Sequence, residues 1–241
     1  MMYIRRYITL LFLTLALTAG ARNYVALVGI ADYPGTKSDL KLSADDAVTM
    51  KTLYDRNGDA ETQLLTDAEA TVENIKVALG NLFAKATQDD AITLFFSGHG
   101  VPGGFVCYDG LLKYADITAA MAKSEARTKV VLADACFAGK ARSSQHRDEK
   151  PSDTSVVFFL SSRTNEQSQE RRGWSNSLFT AYLERGLRGG ADTDRNRTIT
   201  ARELFDFVSQ GVAKDSRQKQ HPVMWGKFDD QMPVMAWKEK N

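Results

Sequence analysis

The chain is poor in several residue types. Among 241 residues there are two cysteines, five prolines and three histidines. Two cysteines cannot staple a disulfide scaffold. Five prolines are too few for a proline-rich linker or extended polyproline segment. Charge of either sign is not in surplus: 31 Lys and Arg stand against 30 Asp and Glu, a net +1. No overall field exists to draw in nucleic acid or an anionic membrane. Long apolar runs are missing too; residues 7–18 form one of only twelve residues, short of the about 20 a membrane-spanning helix needs. What remains, 43% hydrophobic and 25% charged, is the balance of an ordinary globular protein.

The short apolar run has a specific reading. Arg5 and Arg6 precede it and Ala19-Gly20-Ala21 follows it. A positive start, an apolar middle and a small-residue end make a secretory signal peptide. Cleavage after Ala21 would leave 220 residues with a net charge of −1. The expected location is the periplasm or the extracellular space, with no membrane association after cleavage, and residues 22–241 are expected to form one domain.

Along that domain, apolar runs alternate with amphipathic segments. Residues 24–30, 91–96, 129–133 and 155–160 are continuous apolar stretches rich in β-branched and aromatic residues, and residues 64–65 are a shorter one. They read as buried strands. Residues 42–54, 71–86, 116–124, 175–187 and 200–212 carry apolar residues at helical spacing. Strand–helix alternation predicts an α/β fold, a mostly parallel sheet with helices on both faces. Residues 103–114 read as a hairpin, residues 140–154 as a polar loop, and residues 220–241 as a tail that completes the sheet.

In such sheets ligands bind beyond the carboxyl ends of the strands. The strand 91–96 runs into Ser97-Gly98-His99-Gly100, and the strand 129–133 into Asp134-Ala135-Cys136. If those strands are neighbours, His99 and Cys136 meet at one edge, a base beside a nucleophile. The N–H groups of Gly100 and Cys136 are candidates for an oxyanion site. Asp134, two residues from Cys136, would face the same way on an extended chain and could hold Arg or Lys; a turn or cap role is the alternative. A disulfide between Cys107 and Cys136 would be incompatible with a free nucleophile.

These residues resemble a family. Residues 24–30, Ala44-Asp45-Asp46-Ala47, Phe96 to Gly100, and Asp134-Ala135-Cys136-Phe137-Ala138-Gly139 look like the caspase-type clan of cysteine peptidases, on the side of bacterial metacaspase-like proteins. Ser161-Ser162-Arg163, Glu166, Ser168, Ser177, Phe179, Thr180 and Gly186-Leu187 are similar to the later part of that domain. Animal caspases carry Gln where Asp134 stands and a His about 50 residues before the Cys; here the separation is 37. The resemblance implies a caspase-like three-layer sandwich, a Cys136 nucleophile, a His99 base and no cofactor for catalysis. It adds Asp46 to Asp134 as a second acid of the specificity pocket, where a solvated helix-start acid is the alternative. The expected partners are peptide or protein substrates with Arg or Lys before the scissile bond, and the basic loop 140–154 is an expected self-cleavage segment. A caspase-fold regulatory or binding module with little catalysis is the rival function.

One late stretch stands apart. Asp192, Asp194, Asn196 and Glu203 fall at calcium-loop spacing, so Ca2+ is the cation the loop would hold. Arg197 stands where that loop wants Gly. Thr200-x-x-Glu203 equally reads as a capping box for the helix 200–212.

Overall fold

The structure, a computed structural model, describes residues 21–35, 37–57, 59–135, 156–163, 166, 168, 173–226 and 228–237. Cys136, the leader and the loop 140–154 lie outside the described residues.

Six strands form the main sheet: β1 (Asn23–Gly29), β2 (Ala60–Thr66), β3 (Ala91–Gly98), β7 (Thr128–Ala135), β8 (Val156–Leu160) and β10 (Val223–Gly226). Their order is β10-β8-β7-β3-β1-β2. All neighbours pair in parallel except β10, which runs antiparallel to β8 along residues 223–226. The apolar runs became the central strands because both their faces are covered. Tyr24, Ala26 and Val28 of β1 pack with Ile75, Leu79, Ile117 and Met121 of α2 (Val72–Phe83) and α3 (Tyr114–Ala122). Val25 and Leu27 pack the other way, with Met50, Leu53, Leu183, Leu204 and Val208 of α1 (Ser43–Arg56), α4 (Leu178–Arg185) and α5 (Ala201–Asp215). Side chains alternate across a strand, so each buried strand feeds two cores.

Smaller strands complete the molecule. A three-stranded antiparallel sheet, β4 (Gly100–Val101), β5 (Gly104–Val106) and β6 (Leu111–Lys113), stands on the α2/α3 face directly after β3. A pair, β9 (Thr198–Thr200) with β11 (Pro233–Ala236), holds the tail. The tail thus splits its duty: β10 completes the main sheet as expected and β11 does not.

Several boundaries differ from the sequence reading. The strand expected at residues 64–65 is the seven-residue edge strand β2, half-buried along most of its length. The helix expected over 175–187 is regular only over Leu178–Arg185 and ends in a wide turn, Gly186–Gly190, with Gly189 at φ 112°. The helix expected to begin at Asp116 begins at Tyr114.

Two glycines let this end of the sheet close up. A Cβ on Gly29 would sit 2.3 Å from the Ser43 carbonyl oxygen and 2.7 Å from the Ala47 Cβ. Its absence lets the first turn of α1, carrying Asp46, seat on the end of β1. A Cβ on Gly98 would lie 2.7 Å from the Tyr33 hydroxyl, so Gly98 leaves room for that phenol beside His99.

Candidate active site

β3 and β7 are neighbours, and their pairing runs from Ala91 against Thr128 to Gly98 against Ala135, a constant offset of 37 residues. That is also the offset between His99 and Cys136.

His99 is held at three points. Its Nε2 lies 2.7 Å from the Ser38 carbonyl oxygen. A carbonyl only accepts, so Nε2 carries the proton and Nδ1 is the basic nitrogen. Its backbone N–H donates to the Tyr33 hydroxyl at 2.9 Å, and its carbonyl accepts from Val106 N–H at 2.9 Å. The Tyr33 hydroxyl in turn donates to the Val106 carbonyl at 3.1 Å, and the two rings lie 4.9 Å apart between centroids. Burial raises the pKa of the Tyr33 phenol, which keeps that proton in place. Gly100 follows in β4, opposite Phe105. Cys107 is a buried free thiol, and burial pushes its pKa up to about 12.

The two acids come together on the opposite face. Asp134 points into the α1/α4/α5 layer with Val130 and Leu132, and Ser97 does so with Phe95. Asp134 is 4% exposed and Asp46 is fully buried. Asp46 accepts from the Asn176 amide (3.0 Å), the Ser177 N–H (3.0 Å) and the Ser97 hydroxyl (2.9 Å). Asp134 accepts from the hydroxyls of Ser168 and Ser177, and from Thr180 through its N–H (3.3 Å) and hydroxyl (3.1 Å). Thr180 lies in the first turn of α4, so Asp134 sits at the positive end of that helix. Ser177 bridges the pair, N–H to one acid and hydroxyl to the other.

Desolvation drives both acids' pKa values upward, and their mutual repulsion adds to it: Asp46 rises to about 7, and Asp134 rises as well. The pair therefore titrates as a unit and holds a proton at mildly acidic pH. The sequence singled out both acids. It did not single out Ser97, Ser168, Asn176, Ser177 or Thr180 as their donors, nor Tyr33 and Ser38 as the supports of His99. The one available signal for Tyr33 was an aromatic residue in the turn after β1.

The segment after β8 is clamped by the tail. Glu166 accepts from the His221 backbone N–H (2.7 Å) and pairs with its ring Nδ1 (2.8 Å). The Gln220 side chain donates to the Ser161 carbonyl (2.9 Å) and the Ser168 hydroxyl (3.2 Å). A polar chain thus runs from Gln220 through Ser168, Asp134, Ser177 and Asp46 to Ser97.

The late acidic residues lie elsewhere, at the start of α5. Carboxylate oxygens of Asp192, Asp194 and Glu203 lie within 4.8 Å of one another. Asn196 belongs to the same loop; its N–H donates to Asp192 and Asp194 at 3.1 Å each. Arg197 adopts φ 66°, the left-handed conformation that Gly would take at lower cost. Both Glu203 oxygens are engaged: one accepts from Thr193 N–H and hydroxyl, the other from Thr200 N–H and hydroxyl. Thr200 returns the bond to Glu203 N–H, so the capping box is formed. A cation there would compete with those four donors.

These features define a class. A family model, the caspase domain, matches residues 22–232, and the chain belongs to that family of cysteine peptidases. A solved structure of protein GSU0716 from Geobacter sulfurreducens is similar over 90% of this chain and all of its own, with 16% identity and a TM-score of 0.69. Caspase-1 from Spodoptera frugiperda is similar over 92% of each chain, again at 16% identity and a TM-score of 0.69. The expected caspase-like fold is therefore observed. No curated protein sequence matches the chain.

Proposed function

We propose that the protein is an exported cysteine endopeptidase that cuts after Arg or Lys. The observation that carries the reading is the pairing of a base with an acid pair at one end of the sheet. His99 keeps Nδ1 as its basic nitrogen at the end of β3, and Asp46 with Asp134 lies beneath the same strand ends.

In this reading Nδ1 takes the thiol proton of Cys136, and the thiolate attacks the substrate carbonyl. The oxyanion is met by the N–H groups of Gly100 and Cys136. His99 then gives its proton to the leaving amine, and water releases the acyl group by the reverse route. The chemistry uses only the chain's own groups. The Ser38 carbonyl, bound to Nε2–H, stabilises the imidazolium while it carries both protons.

A substrate guanidinium or ammonium would be drawn to the acid pair, favour its ionised form and take over acceptors now used by Ser168 and Ser177. An aspartate before the scissile bond would be repelled. The basic segment 140–154, which follows Cys136 in the sequence, is a substrate for self-cleavage. The test is a fluorogenic panel with Arg, Lys or Asp before the scissile bond, run on the wild type and Cys136→Ala. Hydrolysis of the Arg and Lys substrates by the wild type alone is expected. Preference for Asp would overturn the specificity. A silent panel, with no covalent labelling of Cys136 by an Arg-directed probe, would leave the regulatory-module reading.

A further inference from the structure

We propose that the cleft between Tyr33, Ser38, His99, Val101, Cys107 and Tyr108 is a subsite for the residue that follows the scissile bond, and that it selects an apolar or aromatic side chain there. This rests on the peptidase reading above and extends it to the leaving-group side.

The placement follows from the fold and from the chemistry of the base. The acid pair faces the α1/α4/α5 layer. The cleft lies on the opposite face, where Cys107 belongs to the α2/α3 core. His99, two residues beyond the Ser97 that binds Asp46, forms part of the cleft wall. A general acid must touch the leaving nitrogen to protonate it. The space His99 borders on the side away from the acids is therefore where the leaving residue's side chain projects. The cleft encloses about 470 Å³, within the size range of small-molecule pockets.

Its lining sets the preference. Two tyrosine rings and a valine present apolar surface, and the Cys107 thiol is neutral at physiological pH because burial disfavours the thiolate. The Tyr33 hydroxyl is occupied by His99 and Val106, and the Ser38 carbonyl by the His99 ring. Apart from His99, none of these six residues carries a charge to meet an acidic side chain.

The experiment compares peptides with Arg before the bond and Phe, Leu, Gly or Glu after it. Expected is a kcat/KM for Phe and Leu about tenfold above Gly, with Glu below Gly. Val101→Trp, which fills the cleft, should erase the preference while the Arg-Gly peptide is still cut; Tyr108→Ala, which removes one wall without filling it, should reduce it. A second arm measures Kd of the Arg-Phe and Arg-Gly peptides on Cys136→Ala by calorimetry, where no chemistry occurs. Tighter binding of Arg-Phe, lost in the double variant with Val101→Trp, supports the subsite even if the wild type cuts nothing; the peptidase reading alone would then fall. Cleavage with no discrimination after the bond, discrimination that survives Val101→Trp, or equal Kd values in a chain that cuts nothing would each overturn the subsite.

Discussion

Two clusters of acids among the described residues behave oppositely. Asp46 and Asp134 are sealed beneath the strand ends, partnered by hydroxyls, amides and N–H groups, and their pKa values are raised. Asp194 is exposed and Asp192 and Glu203 are half-buried around a helix start, and Glu203 is lowered because the Thr200 and Thr193 donors outweigh its slight desolvation. By spacing alone the second cluster resembles a calcium loop. Burial makes the first one the more functional: a carboxylate that water already solvates has little energy to offer a ligand, whereas a desolvated pair gains from any cation that reaches it.

Four substitutions test that contrast, in falling order of effect. Asp134→Ala removes the acceptor shared by Ser168, Ser177 and Thr180 and strands buried donors; a loss of about 3 kcal/mol is expected in urea denaturation. A loss below about 1 kcal/mol would show that the sealed pair is no linchpin.

Asp46→Asn comes next and is read through pH. Folding raises the Asp46 pKa from 3.8 to about 7, so protonation favours the folded state. That contribution is full below pH 3.8 and is lost as pH rises through about 7. The variant should flatten this fall in a series of melting temperatures between those limits. Its KM for an Arg substrate should also lose the improvement that wild type gains on going from acidic to alkaline pH. An unchanged profile would place the proton elsewhere.

Glu203→Ala dissolves the capping box and should cost about 1 kcal/mol, equally with and without about 1 mM Ca2+. A Ca2+-dependent rise in melting temperature that this variant abolishes would convert the cap into a metal site. Asp194→Asn, on the exposed side of the same loop, should stay within about 0.5 kcal/mol of wild type.

The regularity of the buried parts made them readable. Residues 24–30, 91–96 and 129–133 are apolar on both faces, and only a doubly covered parallel strand needs that. Thr200 at the start of α5 announced a real N-cap, accepting from the N–H three residues on, and Thr71 caps α2 in the same way. Elements that are short or half-buried were harder. β2 reads as Ala-Glu-Thr-Gln-Leu-Leu-Thr, an edge strand whose partly exposed positions tolerate polar residues, so only its two leucines stood out. β9, β10 and β11 are three or four residues each, too few for a period to register. Within the site, Asp46, Asp134 and His99 stood out by residue type. Their supports did not, because Asn176 and Ser177 reach Asp46 across 130 and 131 residues, and nothing in the local sequence encodes a contact of that span.

The clamp formed by Gln220 and His221 has a consequence for the order in which the chain is made. Translation delivers β1, β3 and β7, and with them His99 and Asp134, well before residue 220. A nascent chain that has reached only α5 holds the base and the acids, but Ser168 lacks the Gln220 amide, Glu166 lacks its histidine and β8 lacks its outer neighbour. The segment after β8, which holds the Ser168 donor to Asp134, is the last to be fixed, by residues drawn from the end of the chain. A ribosome-bound or prematurely terminated product therefore lacks the clamp that Gln220 and His221 place on Ser161, Ser168 and Glu166.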